Sequence, residues 1–406
     1  MAKSFPVPTS MPNSSSLFST LSNLLLEHQR YWRPVAFRER QLPWMDQHPG
    51  LVQRLLALSP EQIENLGTDN VALTHFMSPD LPVAVTLAQL CAVPVLPQRD
   101  IAPPDPRFYA GIPGRKWEQV DRFVRALPVA DLPVLEWCAG KSHLGFWLQQ
   151  CQQQPVTALE WDAALVQQAN ARAHHDQVAL HSFAVDVLGP TAQAFIKPAQ
   201  QAVALHACGD LHEHLLQLCV AERVQQVYVA PCCYHKRVDD IYRPLSQHGR
   251  ANDLQLNKRE LHTAVMETVT AGATVRRQRI RLQIMRLGFD CLQRDIRGVD
   301  TFLPLPSLPA RWARASFADF CQHCAALKQI DLPATIDESH YLQQGEYWFW
   351  RISALDLVRS LFRRPLEIWL ALDRALLLQE QGYAVQLGTF CATHVTRNLL
   401  IQGKIV

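Results

Sequence analysis

The sequence predicts an α/β protein built on a doubly wound, mostly parallel sheet of seven strands, with an N-terminal helical region and a mostly helical insertion. Three observations predict it. From Val134 onward, short apolar runs alternate with stretches of helical period, the pattern of a parallel sheet covered on both faces. The first run feeds a small-residue turn that opens a helix, in Val134-Leu-Glu-Trp-Cys-Ala-Gly-Lys-Ser-His-Leu-Gly145. The chain then closes on a long helix and two strands that form a hairpin.

Composition bounds the rest. A chain of 406 residues suggests a main domain plus an accessory region. With 48% hydrophobic and 19% charged residues it has ample material for a core. The net charge of +2 creates no whole-molecule field for polyanions, so nucleic-acid affinity needs a local patch. No apolar stretch approaches a membrane span, and no basic-then-apolar leader opens the sequence. The eleven cysteines are scattered through apolar segments. They fit reduced thiols in the cytoplasm better than a disulfide framework. No membrane or DNA partner is expected.

In chain order, residues 1–16, with Pro6, Pro8, Pro12 and the run Asn13-Ser-Ser-Ser16, predict a mobile tail. Residues 17–104 predict a helical accessory region, with Leu21, Leu24 and Leu25 on one face and a capped helix start at Ser59-Pro60-Glu61-Gln62. A proline-rich linker, Pro94 to Pro106, closes it. The main domain is expected at 105–236 and 361–406, and residues 237–360 are an insertion. A helix after Gly111 places Arg115, Lys116 and Trp117 at its start, where amides and cations can meet an anion. Strands are predicted at 134–138, 155–160, 178–185, 202–206 and 226–230, with helices at 143–151, 163–175, 191–196 and 211–220 between them. The segment from Arg364 to Gly382 predicts an amphipathic helix, and 383–390 and 397–403 the hairpin.

Chemistry gathers at the strand ends. Gly140 permits backbone angles closed to other residues and leaves room for ligand atoms. Glu160 closes the second strand about 20 residues later, where an acid conventionally takes ribose hydroxyls. Asp186 follows the third strand, placed to accept from an adenine amino group. The fourth strand ends in His206-Ala-Cys-Gly-Asp210 and the fifth in Pro231-Cys-Cys-Tyr-His-Lys236.

Glu136-x-Cys-Ala-Gly-Lys-Ser-His-Leu-Gly145, Leu205-His-Ala-Cys-Gly-Asp-Leu211 and Pro231-Cys-Cys-Tyr-His-Lys236 together resemble the S-adenosylmethionine-dependent methyltransferases. Within them they look like the methyltransferase-like domain related to the eukaryotic tRNA 2′-O-methyltransferase of the acceptor stem. Relatives carry "GKGHL", "HxCGDL" and "CCY" or "CCH" segments. The terminal hairpin agrees, because class I (Rossmann-like) methyltransferases finish on a reversed seventh strand whereas dinucleotide dehydrogenases continue in parallel. The resemblance covers Gly114 to Ala230 and the hairpin. Ser142 departs from it, standing where relatives often have glycine, which tightens the turn.

The resemblance implies S-adenosyl-L-methionine as cofactor. Glu136 and the backbone of Cys138, Ala139 and Gly140 would hold its methionine part, with Lys141 and His143 alongside and Gly145 letting the helix pack close. Glu160 would bind the ribose, Trp161 would cover the adenine unless it is core, and Asp162, Asp186 and Val187 would lie along the nucleoside. His206 would stand at the mouth. For the acceptor, Tyr234 could stack on a base and His235 or Asp210 could take a proton, with Lys116, Cys232, Cys233 and Lys236 around them.

Metal is not expected at Cys232 and Cys233, since adjacent cysteines rarely both ligate one ion. Cys321 and Cys324 are expected to be packing. Arg276, Arg277, Arg279 and Arg281, with Lys236, Arg237, Lys258 and Arg259, could track phosphates, or could be a solvated helix face. Tyr347-Trp-Phe-Trp350 is expected to be the insertion's own core. The expected activity is methylation of structured RNA, tRNA or rRNA. Methylation of a protein or small molecule, and a non-catalytic binding module, remain open.

Overall fold

The computed structural model describes residues 13–266, 273–392 and 397–406. The tail expected at 1–16 lies outside them up to residue 12, and its last part is helix. Asn13 accepts from the amides of Ser15 and Ser16 and caps the helix Ser14–Glu27. The serine run is therefore a capped helix start, with Leu17, Phe18, Leu21 and Leu25 buried beneath it.

One sheet organises the molecule. Its strands are β1 (Val134–Trp137), β2 (Val156–Glu160), β3 (Leu180–Ala184), β4 (Gln201–Cys208), β5 (Gln226–Cys232), β6 (Tyr383–Thr389) and β7 (Leu399–Ile405). The order is β3-β2-β1-β4-β5-β7-β6. Strands β1 to β5 pair in parallel, and β7 runs antiparallel to both β5 and β6. This is the class I methyltransferase arrangement, an α/β fold with the reversed seventh strand. The order turns back between β1 and β4, and ligands of such sheets sit beyond the carboxyl ends at that point.

Alternation along the strands divides the core in two. Leu135, Trp137, Ala202, Ala204, Val227 and Val229 face one core, whereas Val134, Val203, Leu205 and Tyr228 face the other. The second core is closed by Val120, Phe123 and Val124 of the helix Gly114–Ala126 and by Phe146 and Trp147 of the helix His143–Gln152. The first is far larger. It takes in the N-terminal helices and residues 242–264 as well as the helices Asp210–Ala221 and Arg363–Glu380.

Packing therefore runs straight across the boundary drawn at residue 104. Leu21, Trp32, Leu51 and Leu73 share a core with the sheet. The last helix is also not amphipathic: Leu366 to Leu376 are buried without a break. The N-terminal helices cover the side that the sequence leaves for solvent. The chain between 94 and 105 is irregular save one bridge, Val95 to Thr389, with the Leu96 amide donating to the Thr389 carbonyl at 2.9 Å.

The region 237–360 also divides. Tyr242, Leu254 and Leu261 belong to the main core, while the helices Ala273–Arg297 and Phe317–Lys328 close a satellite core around Met285, Phe289, Phe320, Cys321 and Cys324. Cys321 and Cys324 are packing residues. Tyr347, Trp348, Phe349 and Trp350 are absent from that core: Tyr347 is 57% exposed, Trp348 lies under Arg40 and Trp350 leans on the main core. Four consecutive residues point around a helix rather than to one side of it. The expected helix at 191–196 is a six-residue 3₁₀ turn, Pro190–Phe195.

Candidate active site

Three residues between β1 and the next helix take left-handed angles: Cys138 at φ 58°, Gly140 at 59° and Ser142 at 55°. Each non-glycine residue held there costs about 1–2 kcal/mol. The turn is fixed by its neighbours. Ala139 N donates to Leu159 O at 2.9 Å, Gly140 N to Glu160 Oε2 at 2.7 Å, and Ser142 N to Ala139 O at 2.8 Å. A β-carbon on Gly140 would meet nothing within 4 Å, so this glycine borders open space. On Gly145 it would strike the Glu136 carboxylate and the Ser142 hydroxyl. One glycine answers to backbone angle and an open face, the other to packing.

Glu136 does not face that space. It is 3% exposed, and its carboxylate lies under the turn, accepting from the Ser142 hydroxyl and from Gly145 N at 3.0 Å. Burial pushes its pKa up to about 7, against those two bonds. The expected contact with a cofactor's methionine part is corrected: Glu136 shapes the turn from beneath. Ser142, the departure from the resemblance, is the residue that makes this possible. Its hydroxyl points inward and does not narrow the open face.

The ends of β2 and β3 are more exposed. Glu160 accepts from Gly140 N with one oxygen and from Trp161 N (3.0 Å) and Asp162 N (3.1 Å) with the other. It joins the glycine turn to the loop after β2. Trp161 is 79% exposed, so it is not core. Asp162 is a helix cap, accepting from Ala164 N at 2.8 Å and Leu165 N at 3.4 Å, and its place along a nucleoside is corrected accordingly. Asp186 is exposed and spends one oxygen on Leu188 N at 3.0 Å. Val187 is buried in the main core, which leaves only its main chain for a ligand.

Lys141 and Lys116 are exposed. The charge of Lys116 reaches both Glu136 and His143, which sets this lysine beside the turn. His143 has an enclosed Nδ1 with no partner among the described residues. Burial, then Lys116, Arg172 and Lys141, push its pKa down to about 4. Trp117 is held by other rings, stacked on Tyr109 at 5.0 Å and tilted against Trp147 at 5.7 Å.

The ends of β4 and β5 are built differently. Asp210 is expected as a base, yet its carboxylate accepts from Val238 N at 2.7 Å and lies 3.7 Å from Arg237. It anchors the loop after β5. Tyr234 is expected to stack on a base, yet it is 1% exposed, packed edge-on to His212 at 5.9 Å with Arg374 4.8 Å over its ring. Both roles are corrected. The cause is a buried network centred on Arg374. Its Nε donates to His212 Nε2 at 2.8 Å and its Nη1 to Tyr242 Oη at 3.0 Å, and the Glu213 carboxylate completes it. His212 Nδ1 in turn donates to Ala207 O at 2.8 Å. Arg237 is buried too, 3.4 Å from Glu213, so it does not join a phosphate-tracking surface.

His235 stays at the surface of this side. It lies edge-on to His262 at 4.7 Å, a neighbour the sequence spacing does not reveal. Its Nδ1 has no partner among the described residues, and burial holds its pKa below the ordinary histidine value, partly opposed by Cys233. His206 bends β4 at φ 70°, beside a register shift between Leu205 and Cys208. Lys236 is exposed. The thiols of Cys208, Cys232 and Cys233 all lie within 4.8 Å of one another. The sequence reading sets Cys232 and Cys233 at an acceptor and expects no shared site. In the structure they are 1% and 6% exposed and turned toward Cys208.

Arg276, Arg277, Arg279 and Arg281 are exposed at the start of the helix Ala273–Arg297. Arg276 is 3.6 Å from Glu64, and Arg281 donates to Ala315 O at 3.3 Å. Lys258 is engaged with Val238 O at 2.9 Å and Asp240 at 3.4 Å. No helix among the described residues is long and apolar enough to cross a membrane.

Known proteins carry the same signal in one stretch. Residues 115–239 match a family model described as a methyltransferase domain. The matched stretch runs from the helix Gly114–Ala126 to the loop after β5. No curated protein matches the chain. Among solved structures, it is similar to the geranyl diphosphate C-methyltransferase of Streptomyces coelicolor A3(2), solved with Mg2+, geranyl diphosphate and S-adenosyl-L-homocysteine. Identity there is 16% over 33% of this chain and 56% of that one, with a TM-score of 0.26. A geranyl diphosphate methyltransferase solved with sinefungin gives 13% identity over 39% and 65%, with a TM-score of 0.26. A Pyrococcus horikoshii protein described as a candidate RNA methyltransferase gives 15% identity over 37% and 72%, with a TM-score of 0.24. The chain spans less than two thirds of the two geranyl diphosphate enzymes. The strand order of the sheet, not these overlaps, carries the fold.

Proposed function

We propose that the chain is an S-adenosyl-L-methionine-dependent methyltransferase that acts on structured RNA, tRNA or rRNA, in keeping with the resemblance to the acceptor-stem 2′-O-methyltransferase. The observation that carries the cofactor is the open face at Gly140, bordered by Glu160 and, at the next strand ends, by exposed Trp161 and Asp186. The residues fit the group. Glu160 and Asp186 would take its hydroxyls and amino edge, Trp161 a face of its base, and Lys116 a carboxylate. His143, with an enclosed and unpartnered Nδ1, offers one more polar contact. Bound there, the cofactor supplies an electrophilic methyl group on a sulfonium.

The chain's own residues would position the acceptor and handle its proton. His235 suits a base, since burial keeps it neutral at working pH. The exposed run Arg276, Arg277, Arg279 and Arg281 supports an RNA acceptor, because each phosphate contact adds salt-dependent affinity. All eleven cysteines are free thiols, which supports a reducing compartment such as the cytoplasm.

The test is transfer of labelled methyl groups to RNA from cells lacking the gene, with nucleosides identified by mass spectrometry. One methyl mark should appear with wild type. It should fall on the order of tenfold or more when the four arginines become glutamine, and more steeply at higher salt. Transfer to protein or small molecules with none to RNA would overturn the acceptor.

A further inference from the structure

Three thiols meet at the ends of β4 and β5, and nothing in the cofactor reading uses them. Cys208 and Cys232 are register partners on adjacent parallel strands, with their sulfurs 3.6 Å apart. Cys233 Sγ joins them within 4.8 Å. Sequence alone argues against this, because successive side chains on a strand point to opposite faces. Two departures from strand geometry remove the objection. Cys233 takes a left-handed φ of 46°, which brings its side chain to the same side as its neighbour's. On the other strand, His206 at φ 70° and the register shift after Leu205 turn Cys208 toward them. Main-chain bonds hold the arrangement: Gly209 N donates to Cys232 O at 3.0 Å and Lys236 N to Cys233 O at 2.8 Å.

We propose that Cys208, Cys232 and Cys233 together bind one thiophilic divalent cation, of which zinc is the model, and that the ion clasps the ends of β4 and β5. Tetrahedral zinc at about 2.3 Å from each sulfur sets sulfurs roughly 3.8 Å apart, inside the range found here. Binding forms three sulfur–metal bonds and releases three thiol protons to solvent, leaving a net charge of −1. Lys236 and Arg397 are near enough for their charge to act on Cys233, which offsets that excess. Among the described residues no fourth Cys, His, Asp or Glu atom joins the cluster. The site stands apart from the methyltransferase reading and survives its failure.

The pair Cys321 and Cys324 supplies the control. They are fully buried but sit in the satellite core, and no third ligand joins them among the described residues. The experiment takes the full chain, reduced and freed of metal, and titrates it with Co2+ and then Zn2+. We expect one equivalent by elemental analysis and a near-ultraviolet thiolate-to-cobalt band. Cys208→Ser and Cys233→Ser should each weaken binding on the order of a hundredfold or more. Cys321→Ser and Cys324→Ser should leave it unchanged. If a variant fails to fold, the cobalt spectrum of wild type still decides. Absence of the band, or a band that persists in Cys208→Ser, overturns the proposal. So does a Cys208–Cys232 disulfide that resists reductant.

Discussion

The two halves of the sheet's carboxyl edge are built on opposite plans. At β1 to β3 the polar side chains stand out, with Trp161 79% exposed and Asp186 at the surface, around a glycine with no neighbour on its open face. At β4 and β5 they turn inward: Tyr234 is buried, Asp210 anchors a loop, and Arg237 and Arg374 are paired with Glu213. The difference teaches where binding and rigidity reside. The first half keeps part of its hydrogen-bonding capacity, the second Asp186 oxygen above all, at the surface. The second spends it inside the protein, on a frame against which an acceptor can be held.

The comparison breaks most readily at Arg374. Arg374→Ala takes from buried Glu213 its nearer cation and leaves only Arg237, 3.4 Å away, which costs up to about 3–5 kcal/mol. Urea denaturation should show that loss, and an unchanged midpoint would mean the second half is not a frame. On the other half, Gly140→Val forces a β-branched residue to φ 59° and puts methyl groups into the open face. S-adenosylmethionine binding should weaken on the order of a hundredfold or more, about 2.7 kcal/mol or above. The circular dichroism spectrum should stay as in wild type.

Glu136 joins the two plans, being a buried carboxylate beneath an open turn. Its pKa in the folded chain, about 7, lies above the ordinary 4.5, so folding takes up a proton between those values. The stability it contributes is full below pH 4.5 and is lost as pH rises to about 7. The loss is on the order of 3 kcal/mol. Glu136→Gln should remove that slope from urea midpoints measured across the window, and a slope kept intact would reassign it. The smallest effect is expected at Tyr234→Phe. Its hydroxyl is buried with no partner among the described residues, so removing it should change stability by less than about 1 kcal/mol, and upward. Methyl transfer should be unaffected. A large drop would restore Tyr234 to the acceptor.

The same division explains what the sequence makes legible. Strand positions, the glycine turn and the reversed last strand follow from period and spacing, and β1, β2 and the helix Ala163–His175 fall within a residue of expectation. Glu160 and Asp186 stand at strand ends as expected, because each directly follows an apolar run. Glu136 was misjudged because its partner Ser142 looked like a flaw in a motif. The surroundings of Asp210 and Tyr234 are hidden from the sequence because their partners lie far along the chain: Val238 and Arg374. The N-terminal helices looked separate because a period reveals that a helix has a buried face, not what buries it.

The most direct test of the central claim is calorimetric titration of the purified chain with S-adenosyl-L-methionine, wild type beside Asp186→Ala. We expect one site per chain in wild type. The variant should bind on the order of ten- to a hundredfold more weakly, the worth of one hydrogen bond to a charged group. No heat and no competition by S-adenosyl-L-homocysteine in well-folded wild type would contradict a cofactor across the ends of β1 to β3.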